Sequence, residues 1–516
     1  MSERNTESLV NDDQTSAYVL LFAAPLMAAA AGGMGWGIRG QYGHEWGAMV
    51  PGVLVAFVLV FLFSKKSTSL HAARAIALTA IGFSFGGCMT YGQTVGLTHD
   101  SPLVGNVNAY RWGMLGLFIK GGLWVAFGAT FLGMSLGRKK YGWKEILLLY
   151  LVLLLLVFVG IQTINRPYVP GTDRELAWFF FPQDDPSERT LPFLYFSDHW
   201  HWEPNNLEMD PRPEIWGGLA AALTGLVIYV ACIKRDQLAT IMALFGFLGG
   251  GLGFSMGQSL QAKHAWTPGW LSDFDATLHQ TIPSIYPEEF FSLMSWNWWN
   301  MMETTFGMVF GFVLGLGLWV NRKFISLGDR EEAAPIHPII EWIFLAAYGC
   351  MLYLWSVPRA DIIDPLGDFP MAMGLIPVVC IVGGRYWPYL YALPLIALPM
   401  AGITHKSMDG VHVYTDAMLF LILPLLVMII AALFFQYRGR RDQSGRTFAR
   451  YGLIISAFVY YSLNFVFFGY PWATLPMTGR HTNNWIFSRC VEVLIFGALL
   501  LHRKDRDTPA SQVQQN

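Results

Sequence analysis

Residues 46–63 read WGAMVPGVLVAFVLVFLF, eighteen residues without a charged side chain. A helix needs about 20 mostly apolar residues to cross the hydrocarbon core of a bilayer. Similar stretches recur along the whole chain, whose 516 residues are 54% hydrophobic and only 14% charged. Soluble domains carry about 25% charged residues. The composition therefore predicts an all-α, polytopic membrane protein.

Fourteen apolar segments have the length of a membrane span. They are residues 17–36, 46–63, 72–95, 112–137, 145–163, 215–233, 238–260, 298–320, 338–356, 369–384, 386–403, 414–436, 451–469 and 485–501. The tenth and eleventh are short and are joined by Gly383, Gly384 and Arg385, so a re-entrant hairpin is the alternative for this pair. The first sixteen residues are polar and have no basic n-region, so we expect no cleaved signal peptide.

The distribution of basic residues predicts the orientation of these spans. Lys and Arg are enriched in the cytoplasmic loops of membrane proteins. With a cytoplasmic N-terminus, twenty-two basic residues fall on the cytoplasmic side and eleven on the outer side, while Lys120 lies within a span. This bias favours fourteen alternating spans with both termini in the cytoplasm.

Two pairs of motifs indicate an internal duplication. Residues 86–94 read GGCMTYGQT and residues 251–259 read GLGFSMGQS, while the Gly-rich segments 120–140 and 303–323 both end in basic residues. Units of four spans would form parallel repeats, unless the likeness only reflects the glycine content of membrane helices. The predicted organisation begins with a cytoplasmic tail at 1–16 and two four-helix repeats at 17–140 and 141–323. The second repeat includes two long outer segments, 164–214 and 261–297. A six-helix unit at 324–501, which could hold a degenerate third copy, and a cytoplasmic tail at 502–516 complete the chain.

Charged residues inside the predicted spans mark candidate functional positions. An ionisable side chain in lipid costs several kcal/mol unless it is paired or hydrated. Lys120 and Glu303 occupy equivalent positions in the two proposed repeats, and we expect them to pair across the repeat axis. A structural ion pair and a role in binding a substrate or a coupling ion both fit this arrangement.

The turn between the first two spans is the strongest candidate for a binding site. Residues 32–47 read GGMGWGIRGQYGHEWG and contain seven glycines, which let the backbone approach a ligand closely. A tight glycine hairpin is the alternative. Other polar side chains are predicted at a similar depth, and the full set of candidate substrate-binding or coupling residues is Arg39, Gln41, His44, Glu45, Gln93, Lys120, Gln258, Asn300, Glu303 and Asp416.

The chain has no motif for a resident cofactor. It has no phosphate-binding loop, dinucleotide fingerprint or nucleophile elbow, so we expect only a coupling H+ or Na+. His199 and His201 form a His-x-His segment, but zinc prefers three or four ligands, and we predict no metal site. All five cysteines fall inside predicted spans and no N-x-[ST] sequon occurs, which favours a bacterial inner membrane.

The leading functional interpretation is a secondary transporter of a small polar solute, with the lipid bilayer and that solute as partners. Duplicated helical units with intramembrane charges are common in such proteins. The alternative is a membrane-embedded enzyme that acts at the outer leaflet on a lipid-linked or glycan substrate, and a sensor or assembly subunit is a third class. The net charge of -2 excludes a nucleic-acid binder that relies on a basic field, and the oligomeric state stays open.

Overall fold

The protein is helical throughout the part that a computed structural model describes. The described residues are 2–64, 67–165, 215–326, 336–356, 381, 383–408, 412–438, 444–472 and 477–506. Helices make up 84% of them, and they contain no β-strand. Ten of the described helices are long and apolar enough to cross a membrane, or eleven if one bent pair counts as a single span. This is the architecture of a multi-pass membrane protein.

Fifteen helices form the framework of the described chain. Their bounds are α1 (Ser2–Arg39), α2 (Glu45–Phe63), α3 (Ser69–Gly87), α4 (Gly92–His99), α5 (Val107–Leu136), α6 (Trp143–Asn165), α7 (Trp216–Ile233), α8 (Gln237–Trp266), α9 (Trp270–Thr281), α10 (Trp298–Val320), α11 (Pro338–Ser356), α12 (Trp387–Lys406), α13 (Val413–Arg438), α14 (Gly445–Leu463) and α15 (Arg480–Arg506). Several of these helices directly follow a residue whose side-chain oxygen caps the first turn. That oxygen accepts a hydrogen bond from a backbone N–H group that has no partner within the helix. These caps are Thr68, Asn106, Asp236, Asn297 and Ser444.

Six helices close into a ring that forms the core. Helix α1 packs against α2, α2 against α3, α3 against α5, α5 against α8, α8 against α10, and α10 returns to α1. Helix α2, which carries the apolar stretch 46–63, is completely buried, whereas only 28% of the most apolar window of α6 or α13 is buried. The apolar side chains of α2 therefore face other helices, and those of α6 and α13 are left for lipid.

Glycines set the short distances between the helices of the ring. A Cβ atom added to Gly307 of α10 would lie 2.1 Å from the carbonyl oxygen of Gly32 in α1, and one added to Gly250 of α8 would lie 2.0 Å from that of Gly121 in α5. In lipid, small residues allow backbones to approach and gain van der Waals contact. The glycine-rich segments of the sequence are thus the contact surfaces of the ring.

Several predicted spans differ in the structure. The segment 72–95 is broken between Gly87 and Gly92, where α3 and α4 meet at 64°. The predicted span 451–469 begins earlier, as α14 at Gly445, and ends at Leu463 before the separate turn Phe465–Phe468. Helix α9 (Trp270–Thr281) was not predicted and lies in segment 261–297, which was predicted to lie on the outer side.

The predicted number of fourteen spans is not confirmed. Segment 338–356 forms helix α11, in which the described apolar stretch Pro338–Met351 is shorter than a span, and α14 does not have the hydropathy of a span. Most of segment 369–384 lies outside the described residues. The two motif copies also differ, since GGCMTYGQT contains the helix break and GLGFSMGQS lies within the continuous α8. Orientation, repeats and the identity of the membrane stay predictions.

A buried carboxylate on α11 holds the start of α12. Oε1 of Glu341 accepts hydrogen bonds from the backbone N–H groups of Arg385 at 2.7 Å, Tyr386, and Trp387 at 3.1 Å. The first N–H groups of a helix have no intrahelical acceptor, so this side chain caps a helix from a neighbouring element. The contact ties α11 to α12.

We expect Glu341→Ala to destabilise the protein, because it leaves these N–H groups buried without an acceptor. Each unsatisfied buried donor costs about 1–3 kcal/mol, so the loss in unfolding free energy should reach at least the upper part of that range. Glu341→Gln keeps an acceptor oxygen and should lose less. The midpoint of thermal unfolding in detergent micelles measures both. The control is Glu492→Ala, whose carboxylate makes an exposed ion pair with Arg489, and an equal effect at both positions would contradict the capping role.

Asp275 organises the part of segment 261–297 that follows α9. Its carboxylate accepts from the Tyr286 hydroxyl, from the backbone N–H groups of Phe290 and Phe291 at 3.2 Å each, and from both the backbone N–H and the hydroxyl of Ser292 at 2.7 Å. Burial raises the pKa of this carboxyl, and the hydrogen bonds outweigh that effect and lower the pKa to about 2. Several backbone turns therefore depend on one ionised side chain.

The lowered pKa of Asp275 predicts an acid-labile segment. A carboxyl whose folded pKa is depressed stabilises the folded state above its unfolded pKa and loses this contribution as the pH falls through the folded pKa. This loss falls in the pH range between 3.8, the ordinary pKa of an aspartate side chain, and about 2, the pKa of Asp275 in the folded protein. Pepsin cleavage within residues 275–292 should rise steeply across it. Asp275→Asn should remove the pH dependence, while Asp273→Asn, at an exposed position of the same helix, should retain it; identical profiles would contradict this role.

Candidate functional site

Arg39, at the end of α1, is buried among aromatic rings. The residue is 2% exposed, and its guanidinium carbon lies 5.1, 5.3 and 5.0 Å from the ring centroids of Trp36, Tyr91 and Trp124. Its Nη2 donates to the Tyr91 hydroxyl at 2.8 Å. Because a cation is attracted to the face of an aromatic ring, these side chains hold the charge inside the bundle.

Glu303 of α10 lies beside this guanidinium and is 1% exposed. Its Oε1 accepts from the Tyr91 hydroxyl at 2.9 Å and lies 3.9 Å from Arg39 Nε. Asn300 Nδ2 donates to its Oε2 at 3.4 Å. A Cβ atom added to Gly40 would lie 3.2 Å from the same oxygen, so the glycine leaves room for the carboxylate. Arg39, Tyr91, Asn300 and Glu303 are called the charged centre below.

The break between α3 and α4 supplies the hydroxyl of the charged centre. Tyr91 lies in the connection of the two helices, directly before the first residue of α4. Lys120 of α5 is completely buried and donates to the carbonyl of Thr90 at 3.2 Å and to Thr94 Oγ1 at 3.0 Å. A helix break frees backbone groups that need partners in a low-dielectric interior. The ammonium of Lys120 binds one of them, so a second buried cation lies at the break.

The ion pair of the charged centre is loose. The strongest arginine–carboxylate pairs have two parallel N–H···O bonds, whereas here Arg39 Nε lies 3.9 Å from Glu303 Oε1 and the Tyr91 hydroxyl bridges the two groups. A buried ion pair adds little to stability compared with a well-packed apolar core. Its presence inside a ring of apolar helices therefore points to function rather than to folding.

Three buried polar atoms at this position make no hydrogen bond within the described part of the chain. They are Arg39 Nε, Trp124 Nε1 and Asn300 Oδ1. More than nine in ten buried polar groups in proteins have a partner in protein or ordered water. Two donors and one acceptor are therefore open to a ligand or to water at the charged centre.

A second polar contact lies one helical turn further along α4. Gln258 of α8 donates through Nε2 to Thr98 Oγ1 at 2.6 Å, and the indole N–H of Trp266 donates to the Thr98 carbonyl at 2.8 Å. Gln261 Nε2 lies 3.2 Å from His99 Nε2. These contacts join the short helix α4 to α8 and continue the polar face that begins at Lys120.

The structure brings three of the predicted residues together. Arg39, Asn300 and Glu303 meet in the charged centre, and Lys120 contacts the residue before Tyr91. The ion pair that the structure describes at Glu303 is with Arg39, whereas the sequence predicted Lys120 as its partner. This correction follows from the close crossing of α1 and α10, which carry Arg39 and Glu303.

The other predicted residues of the glycine-rich turn lie around this centre. Gln41 Oε1 accepts from Arg480 Nη1 at 2.8 Å. The ring of His44 stands edge-on to that of Tyr91, with centroids 6.0 Å apart. Glu45 is the first residue of α2. The glycine-rich turn between α1 and α2 thus contacts the start of α15 through Gln41 and the break between α3 and α4 through His44.

Gln93 and Asp416 have separate positions. Gln93 is buried in the first turn of α4. Asp416 of α13 accepts from the Tyr470 hydroxyl at 2.8 Å and belongs to a different cluster. The two Gln residues that the repeat hypothesis pairs, Gln93 and Gln258, therefore lie on different kinds of helix, one short and one continuous.

Sequence reasoning missed Tyr91 and Trp124, which form the bridge and one wall of the charged centre. The signal for Tyr91 was present, because Gly86, Gly87 and Gly92 flank it and glycines weaken a helix at that point. Trp124 had no comparable signal. A tryptophan within a span is usually a packing or interfacial residue, and its position beside Arg39 follows only from the packing of the helices.

The described residues contain no group of three or more His, Cys, Asp and Glu side chains placed to hold a metal ion. The His-x-His segment at His199 and His201 lies outside the described residues, as does nearly all of segment 164–214, which was predicted to lie on the outer side.

Comparisons with known proteins identify no relative. No protein-family model, no curated protein and no solved structure matches the chain. The proposal below is supported by the geometry of the charged centre.

Proposed function

We propose that this protein is a secondary transporter that carries a small polar solute through the six-helix ring. The charged centre is the position where the solute binds and where its movement is coupled to an ion. The observation that carries the proposal is the loose Arg39–Glu303 pair, which lies beside a helix break and three open hydrogen-bonding atoms.

A discontinuous helix next to buried charges suits this function. In many transporters, substrates and coupling ions bind where a membrane helix is interrupted, because the freed backbone groups and helix ends can act as ligands. Here the break between α3 and α4 contributes Tyr91, and Lys120 binds the carbonyl of Thr90. A solute with polar groups would complement the atoms that the protein leaves open.

The geometry of the charged centre also allows it to change partners. Arg39 and Glu303 are linked mainly through the Tyr91 hydroxyl, which can donate or accept. Separation of the two charges therefore breaks few direct bonds. A solute that binds one of them better in one conformation shifts the population of that conformation, which is the requirement for coupled transport.

Uptake by proteoliposomes tests the proposal. The purified protein is reconstituted, and uptake of radiolabelled sugars, amino acids and organic anions is measured under imposed H+ or Na+ gradients. At least one solute should accumulate above the level in empty liposomes. Glu303→Gln should lower its uptake by about 10- to 100-fold, which corresponds to the 1.5–3 kcal/mol of a hydrogen bond to a charged group.

Glu145→Gln is the matched control for Glu303→Gln. Glu145 accepts from the Tyr229 hydroxyl and pairs with Lys234 at 2.8 Å, and its side chain is 34% exposed. It has the same kinds of partner as Glu303 but lies outside the charged centre, and uptake should be unchanged. Turnover of lipid-linked or glycan substrates, with no solute moved, would contradict the transporter proposal and favour an enzyme.

A further inference from the structure

The open atoms of the charged centre favour one class of solute. Arg39 Nε and Trp124 Nε1 are N–H donors, and neither has an acceptor among the described residues. The two side chains are neighbours, because the guanidinium carbon lies 5.0 Å from the Trp124 ring centroid. Neighbouring buried donors of which one carries a positive charge are complementary to an anion with oxygen acceptors.

Glu303 shows that a carboxylate fits at this position. Its oxygens accept from the Tyr91 hydroxyl at 2.9 Å and from Asn300 at 3.4 Å, and the missing side chain of Gly40 accommodates them. The guanidinium nevertheless keeps Nε open, at 3.9 Å from the carboxylate. Since the planar guanidinium group matches a carboxylate in a bidentate manner, a second carboxylate can bind Arg39 better than Glu303 does.

We propose that the solute is a small organic anion whose carboxylate binds Arg39 and Trp124, and that one proton, carried by Glu303, enters with each monocarboxylate. This inference rests on the proposed transport function. In the described part of the chain, the charged and titratable groups found to act on Glu303 are Arg39 from α1, Tyr91 from the break and Arg480 from α15, and none of these three is a second carboxylate.

The proton is required by charge balance. An incoming carboxylate beside an ionised Glu303 would place two like charges together, which is unfavourable in a buried site. A proton on Glu303 removes one of them, so that a monoanion and a proton cross with no net charge. The neutral carboxyl has a partner ready, because Asn300 Oδ1 is an open acceptor on a side chain that already contacts Glu303.

Binding tests the first half of this inference. Sodium lactate, sodium gluconate and disodium succinate are added to the wild-type protein in detergent, with sodium chloride at equal ionic strength, glucose and methylammonium chloride as comparisons. At least one carboxylate should raise the melting temperature and change the fluorescence of the tryptophans, since Trp36 and Trp124 border the site. Arg39→Gln should abolish the response and Glu145→Gln should retain it. A carboxylate response that survives in Arg39→Gln would overturn the inference.

Transport tests the second half. Proteoliposomes that contain a pH-sensitive dye are exposed to an inward gradient of labelled lactate, and the passive rate in empty liposomes is subtracted. One proton should enter per lactate, and the rate should not depend on a membrane potential set with valinomycin and potassium. Uptake of sugars or ammonium compounds without uptake of any carboxylate would overturn this inference but leave the proposed function standing. Absence of uptake for every solute would instead contradict the proposed function.

Discussion

Arg39→Gln and Glu303→Gln should each lower the free energy of unfolding by about 3–5 kcal/mol, because either change leaves a buried charge without its partner. The double variant Arg39→Gln/Glu303→Gln should recover most of this loss, since two neutral amides can hydrogen-bond to each other and to Tyr91. Both side chains are almost completely buried, so solvent does not screen the pair. Thermal unfolding in detergent micelles of the four proteins gives the interaction free energy of the pair as a double-mutant cycle.

The matched control for this cycle is the Lys234–Glu145 pair. It is shorter, at 2.8 Å, but its side chains are 21% and 34% exposed, so its interaction free energy should be about 1 kcal/mol or less. A larger coupling for the exposed pair, or additive losses at Arg39 and Glu303, would show that the charged centre is not an energetic unit.

A β-branched side chain at Gly307 should be among the most damaging apolar substitutions in the ring. Its Cβ atom would lie 2.1 Å from the carbonyl oxygen of Gly32, and a backbone atom cannot move aside as a flexible side chain can. Overpacking costs about 1–3 kcal/mol when side chains can adjust, so Gly307→Val should exceed that range. Because α1 and α10 carry Arg39 and Glu303, transport should fail together with stability.

Gly349 provides the comparison for Gly307. It lies within α11, and a Cβ atom added there would meet nothing within 4 Å. Gly349→Ala should raise the unfolding free energy by about 1 kcal/mol, the difference in helix propensity between the two residues. The unfolding midpoints of Gly307→Val and Gly349→Ala, measured side by side, should move in opposite directions relative to the wild-type protein. Similar shifts for Gly307→Ala and Gly349→Ala would mean that α1 and α10 do not cross at this glycine.

The helical, membrane-type architecture could be predicted from sequence because hydropathy and length alone define a span. Arg39, Asn300 and Glu303 could be selected because polar and charged groups near or inside spans carry a high cost. The pairing of Arg39 with Glu303 could not, since it depends on which helices cross and at what depth. That crossing is set by the contact of Gly32 with Gly307, two glycines among the 52 of the chain.

Apolar segments do not distinguish a protein core from a lipid-facing surface. Helix α2 and helix α13 are both strongly apolar, yet α2 is completely buried and α13 is mostly open. The break in segment 72–95 was missed for a related reason, because its apolar residues continue on both sides of Tyr91. Only the contacts of α3 with α5 and of α4 with α8 show where that helix turns.

The central claim is that the charged centre is a transport position, which must open to each side of the membrane in turn. Asn300→Cys, in a chain whose five native cysteines are replaced, tests this with a membrane-impermeant thiol reagent added to one side or the other of sealed, oriented vesicles. We expect labelling from both sides, at rates that transported solute changes in opposite directions. Ala56→Cys, on the completely buried α2, should stay unlabelled. Protection of Asn300→Cys from both sides in the folded protein would contradict the account.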